Sequence, residues 1–157
     1  MLKRGAWVAV SLLCLLLLTG CDDNGNARNP RDAEALFQAL IADPIPAGTR
    51  GLVSTGYITE QDGHNVYLRF ETTVLFLDPL LDRYAYTRID CTDEQLQGRI
   101  ILPQELEADI PDWRPFVTAD ARCYVSAPGY SNAWTNNGNS VLVIRPNALT
   151  VYFNETG

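Results

Sequence analysis

The sequence predicts an α+β domain, with one N-terminal helix packed on a mainly antiparallel sheet and a loop-rich excursion. Three observations predict it. A single segment, residues 33–41, carries apolar residues at helical spacing, with Ala33, Leu36, Phe37, Leu40 and Ile41 on one face. Several later segments alternate apolar and polar residues between turn signals. A proline-rich stretch, with Pro103, Pro111 and Pro115, breaks any long element in the middle.

Taken in order, Asn29 is expected to cap the helix, with Pro30 at its first position. Asp32 and Glu34 favour the positive end of the helix dipole, and Pro44 and Pro46 stop it. Asp62-Gly63 predicts a turn between two strands. After it Val66, Leu68, Phe70, Thr72, Val74 and Phe76 share a face, which extends the expected strand to residue 76. Gly56 in the preceding strand predicts a bulge or a close approach. The run "DPLLDRY" predicts a short helix capped by Asp78 with Pro79 first. "AYTRIDCT" and "DARCYVSA" read as short strands, with a loop excursion between them in which Trp113 is expected to plug a gap beside Pro111 and Pro115. The final expected element is a hairpin around Pro146-Asn147, in which Leu142 and Ile144 answer Leu149, Val151 and Phe153.

The start of the chain has a different character. Lys3 and Arg4 precede an almost purely apolar run, Ala6 to Leu18, closed by the small residues Thr19 and Gly20. That is the layout of an export leader, and the run is shorter than the roughly 20 residues a spanning helix needs. Leu18-Thr19-Gly20-Cys21 resembles the lipobox of bacterial lipoproteins. The resemblance covers residues 1–21 alone. It implies that the Cys21 thiol carries a diacylglycerol, that the leader is cut before Cys21, and that the new amino end is often acylated. Two or three acyl chains make a lasting anchor where one holds only marginally, at about 0.8 kcal/mol per buried methylene. Asp22 resembles the signal that retains enterobacterial lipoproteins at the inner membrane. The implied location is the cell envelope, on the periplasmic face of the inner membrane, with the outer membrane as the alternative. Residues 1–20 are thus expected as leader, 21–29 as a flexible tether rich in Asp, Asn and Gly, and 30–157 as one domain.

Composition narrows the partners. The formal charge of the whole chain is −7, and loss of Lys3 and Arg4 makes it more acidic still. An acidic domain argues against nucleic acid, whose phosphates need clustered positive charge. Membrane lipid is reached through acylated Cys21, without a second electrostatic grip. Cys14 falls in the leader. Cys91 and Cys123 remain as an even pair in an exported domain, where a disulfide is expected. It would close a loop of about 33 residues and stabilise by about 3–4 kcal/mol.

Motifs of catalysis are sparse. The chain contains neither G-x-S-x-G nor H-E-x-x-H, and "DDNGN" departs from a calcium loop at Ala27 and Ala33. His64, the single histidine, follows Asp62-Gly63 and is expected at an exposed turn. No catalytic residue, metal ligand or cofactor is assigned. Glu105, Glu107, Asp109 and Asp112 cluster in the excursion, and a carboxylate pair among them is the basis of the alternative reading, a small envelope hydrolase. The favoured reading is a non-enzymatic interaction protein, with an inhibitory or envelope-assembly role. Its expected contact is the uncharged loop "APGYSNAWTNNGNS", where Tyr130 and Trp134 are offered to a protein or envelope component.

Overall fold

The computed structural model describes residues 29–59, 63–116, 119–130 and 138–157. Its centre is a six-stranded antiparallel sheet formed by β1 (Arg50–Thr59), β2 (Gly63–Glu71), β3 (Thr87–Ile89), β4 (Arg122–Val125), β5 (Asn139–Arg145) and β6 (Thr150–Thr156). The spatial order is β1-β2-β6-β5-β4-β3. Among the described residues three helices, α1 (Ala33–Leu40), α2 (Val74–Arg83) and α3 (Glu94–Ile100), and a 3-10 turn at Gln104–Leu106 accompany the sheet. The architecture is α+β, as the alternation of the strands predicts.

One face of the sheet receives α1 and α2. Leu36, Phe37 and Leu40 from α1 and Leu77 and Leu80 from α2 pack on Val66, Leu68, Phe70, Leu142, Ile144, Val151 and Phe153. These strand residues lie at alternate positions because successive side chains in a strand point to opposite faces. Phe37 meets Phe70 edge-on, ring centres 5.0 Å apart. Burying an aromatic or branched side chain of this kind stabilises by about 1.5–3 kcal/mol, so this interlocking row is the main reason α1 stays on the sheet.

The opposite face is covered as well. Leu96 and Ile100 of α3 pack on Cys123, Val141, Val143 and Tyr152, and the excursion adds Leu102, Ile110 and Trp113 over Tyr67. Tyr67 is therefore buried although it lies on the face away from Val66 and Leu68. The indole N–H of Trp113 donates to the Ile100 carbonyl at 2.7 Å, and its ring meets Tyr67 and Tyr152 edge-on. A plug with its polar atom satisfied is what a buried tryptophan requires.

Several boundaries differ from expectation. The cap of α1 is Asp32, whose Oδ1 accepts the Ala35 N–H at 3.1 Å, and Asn29 instead forms the turn before it, accepting from Arg31. The far end of α1 is closed from α2: Arg83 donates to the Ile41 carbonyl and Tyr84 to that of Leu40. These bonds satisfy helix-end carbonyls that have no partner of their own. Strand β2 stops at Glu71, and Val74 begins a helix. The residues 74–84 fit both periods, and burial of Leu77, Leu80 and Tyr84 on the α1 side decides for the helix. Pro79 consequently sits inside α2 rather than at its start. It does so on the turn beginning at Leu75, which is 89% exposed, where a backbone bond lost to proline costs less than in the core. The excursion is less loop-like than expected, since α3 and the 3-10 turn lie within it.

Gly56 is a close approach. It stands opposite Val66 with φ +141°, and a Cβ there would lie 2.2 Å from the Asn65 carbonyl oxygen. The register shift in β1 falls elsewhere, between Arg50 and Val53. The expected final hairpin is present: Leu142 faces Phe153 and Ile144 faces Val151, while Leu149 belongs to the turn with φ +46°.

Candidate functional site

At one end of the α1 side of the sheet the apolar row gives way to polar residues. His64, Glu155 and Ser140 occupy the next outward positions on β2, β6 and β5, two residues beyond Val66, Phe153 and Leu142. All three are buried, Glu155 and Ser140 at 0% exposure. His64 therefore does not occupy an exposed turn. Its backbone N–H and C=O pair with Gly157, and its Nε2 lies 3.3 Å from Glu155 Oε1. The strand simply begins one residue earlier than the turn signal suggests, at Gly63, and that places His64 on the packed face.

A group of tyrosines closes over these residues. Tyr130 donates to Glu155 Oε2 at 2.5 Å, and the Tyr86 hydroxyl lies 2.5 Å from Ser140 Oγ. The Tyr84 ring packs on that of Tyr130 with centres 4.7 Å apart, and edge-on against Tyr86. Ser140 N–H donates to Ser126 Oγ, and Ser126 N–H donates to the Ser140 carbonyl. Burial, reinforced by the Glu155 carboxylate, pushes the Tyr130 phenol far above its ordinary value. Burial does the same at Tyr86, opposed in part by its bond to Ser140. Both phenols are thus favoured in the protonated state, and Tyr130 serves as the donor to Glu155.

The arrangement acts as a clasp. Tyr130 and Gly138 form a two-residue antiparallel bridge in which Gly129 N–H reaches the Gly138 carbonyl and Gly138 N–H reaches that of Tyr130. The neck of the expected contact loop is therefore fixed at both ends, by backbone bonds and by the Tyr130 phenol on a buried carboxylate. The Tyr130 side chain itself is half-buried against the core. Trp134, the other aromatic of that loop, lies outside the described residues, as do Cys21 and Asp22.

The excursion carboxylates are dispersed in their roles. Asp109 accepts from the Thr55 hydroxyl at 2.5 Å and pairs with Arg31 at 3.0 Å, so these donors, Thr55 first, hold its carboxyl below the ordinary range. Glu105, Glu107 and Asp112 are exposed. Cys91 and Cys123 form a disulfide with Cα atoms 5.3 Å apart, tying the segment after β3 to β4. Among the described residues no group of three or more His, Cys, Asp or Glu is placed to hold a metal.

Sequence reasoning overlooked Glu155, Ser140 and Arg99. For Glu155 a signal existed: it continues the Val151, Phe153 alternation onto the core face, as His64 precedes Val66 and Leu68. A carboxylate and an imidazole in register with two apolar rows predict a buried polar pair. Comparison with known proteins finds no matching family, no curated relative and no solved structure.

Proposed function

We propose that this chain is a lipid-tethered, extracytoplasmic interaction protein, fastened through acylated Cys21 and meeting a protein or envelope component through the loop that follows Tyr130. Its proposed place is the periplasmic face of the inner membrane, following Asp22. The observation that carries the reading is the Cys91–Cys123 disulfide in the folded domain. Such bonds persist in oxidising compartments, which agrees with an export leader ending at a lipobox cysteine. The clasp supports an interaction role, because an uncharged loop with a fixed neck loses less conformational freedom on binding. The enzyme alternative gains no support from Asp109, whose carboxylate is engaged by Thr55 and Arg31.

The test is mass analysis of the mature chain with fractionation of the Cys21→Ser variant. The expected result is a diacylglyceryl-modified residue 21 and loss of membrane attachment or of leader cleavage in the variant. Unmodified Cys21 in a membrane-attached chain would overturn the tether. Crosslinking in the native membrane, repeated with Trp134→Ala, tests the loop: the partner adduct is expected to disappear in a variant of unchanged stability.

A further inference from the structure

On the opposite face of the sheet, away from the clasp, α3 and strands β4 and β5 enclose a half-open groove of about 460 Å3. That volume lies in the range of small-molecule sites. Its floor is apolar, formed by Leu96, Val125 and Val141. Two features of its walls go beyond what the fold requires.

The first is Gly98. It sits inside α3, with helical backbone, where glycine is the least favourable residue after proline. Elsewhere in the chain a glycine is required by close approach, as at Gly56. A Cβ added at Gly98 would meet nothing within 4 Å. Neither backbone conformation nor packing demands a glycine there, and what its missing side chain preserves is the open space of the groove.

The second is Arg99. Its guanidinium bonds only neutral acceptors: the Asn139 side chain at 2.7 Å, the Asn139 carbonyl, and the Thr156 hydroxyl at 3.2 Å. Its Nε is buried without a partner. No carboxylate of the described residues stands within ion-pair distance of it; Glu155, which favours its charge from farther off, is bonded to His64 and Tyr130. The half-buried cation thus has no carboxylate in contact with it, and an incoming anion would stabilise it there. At the far end of the same groove Asp93 and Glu94 bring negative charge. Glu94 and Arg99 are five positions apart along the helix, an axial distance of about 7.5 Å. An extended chain of two residues spans about 7 Å.

We propose that this groove binds a short zwitterionic peptide of two or three residues with apolar side chains. Its carboxylate meets Arg99, its side chains rest on Leu96, Val125 and Val141, and its ammonium points toward Glu94. The site does not involve Cys21 and meets the proposed contact loop only at its last residues, through Asn139, so it stands or falls apart from the tether.

The experiment titrates Leu-Leu into the purified full chain and follows backbone amide shifts. Saturable shifts are expected in α3 and β5, and at least tenfold weaker binding of the acetylated, amidated dipeptide, which has neither charge. Gly98→Leu is the decisive variant. It is expected to raise the melting temperature, because it improves the helix, and to weaken Leu-Leu binding at least tenfold, because it fills the groove. Arg99→Gln is expected to weaken binding at least tenfold; if that variant fails to fold, Gly98→Leu decides alone. Absence of Leu-Leu binding, unchanged affinity in Gly98→Leu, or octanoate binding as tightly as Leu-Leu would each overturn the proposal.

Discussion

The phenol of Tyr130 donates to Glu155 Oε2 at 2.5 Å, joining the neck of a surface loop to a carboxylate with no exposed surface. A bond to a buried charged acceptor contributes about 1.5–3 kcal/mol, and its loss leaves the acceptor unsatisfied. Tyr130→Phe is therefore expected to lower unfolding free energy by about 2 kcal/mol in urea denaturation. A double-mutant cycle with Glu155→Gln should show coupling of about 1 kcal/mol or more, as contacting groups do. Additive effects would mean that the two residues act separately.

Reduction of the Cys91–Cys123 disulfide releases the chain over a sequence separation of 32. The expected cost is about 3–4 kcal/mol on the chain-entropy account. Equilibrium denaturation with and without dithiothreitol measures it directly, and the paired Cys91→Ala, Cys123→Ala variant should match the reduced protein. A loss under about 1 kcal/mol would place the bond outside the stabilising framework.

Gly56 allows β1 and β2 to approach with no room for a side chain. Gly56→Ala meets the Asn65 carbonyl and adopts a φ that alanine avoids, so it is expected to destabilise by about 2 kcal/mol or more. Thermal unfolding reads this as a drop of several degrees in the midpoint. Gly98→Leu should move the other way, which makes the pair an internal control.

Alkaline stability follows from the phenols. Burial raises Tyr67, Tyr84, Tyr86 and Tyr130 above their ordinary value near 10. A group raised in the folded state stabilises fully below its unfolded value and ceases to do so as pH climbs toward the folded one. The domain is expected to hold constant stability up to about pH 10 with respect to these groups and to unfold cooperatively above it, with phenolate absorbance and loss of structure appearing together. Four phenols titrating ahead of unfolding would contradict their burial.

How legible this molecule is from its residues depends on the range of the interaction. The core face of β2 and the β5–β6 hairpin follow from strict alternation at Val66, Leu68 and Phe70 and at Leu142, Ile144, Val151 and Phe153. The identity of the residue after a strand is harder: Val74 and Phe76 continue an alternation that is also half of a helical period, and only Phe76 against Phe37 and the burial of Leu77, Leu80 and Tyr84 resolve it. His64 looked like turn because Asp62-Gly63 dominates locally, whereas its partner Glu155 is 91 positions away. Tyr130 was legible as a notable aromatic, and its inward half was not, since that depends on Glu155 and Tyr84. The groove beside α3 was hidden for the same reason: Gly98 and Arg99 acquire meaning only once β4 and β5 lie beneath them.

The order of strands has a consequence for how the molecule comes into being. Strand β6, the last in sequence, lies in the middle of the sheet between β2 and β5. Until residues 150–156 arrive, the β1–β2 hairpin and the β3–β4–β5 group are two separate ribbons, each with a raw inner margin. A polypeptide emerging amino end first, whether from a ribosome or through a pore, thus cannot complete this sheet before residues 150–156 appear. Trimming those seven residues should yield an aggregating chain rather than a smaller domain.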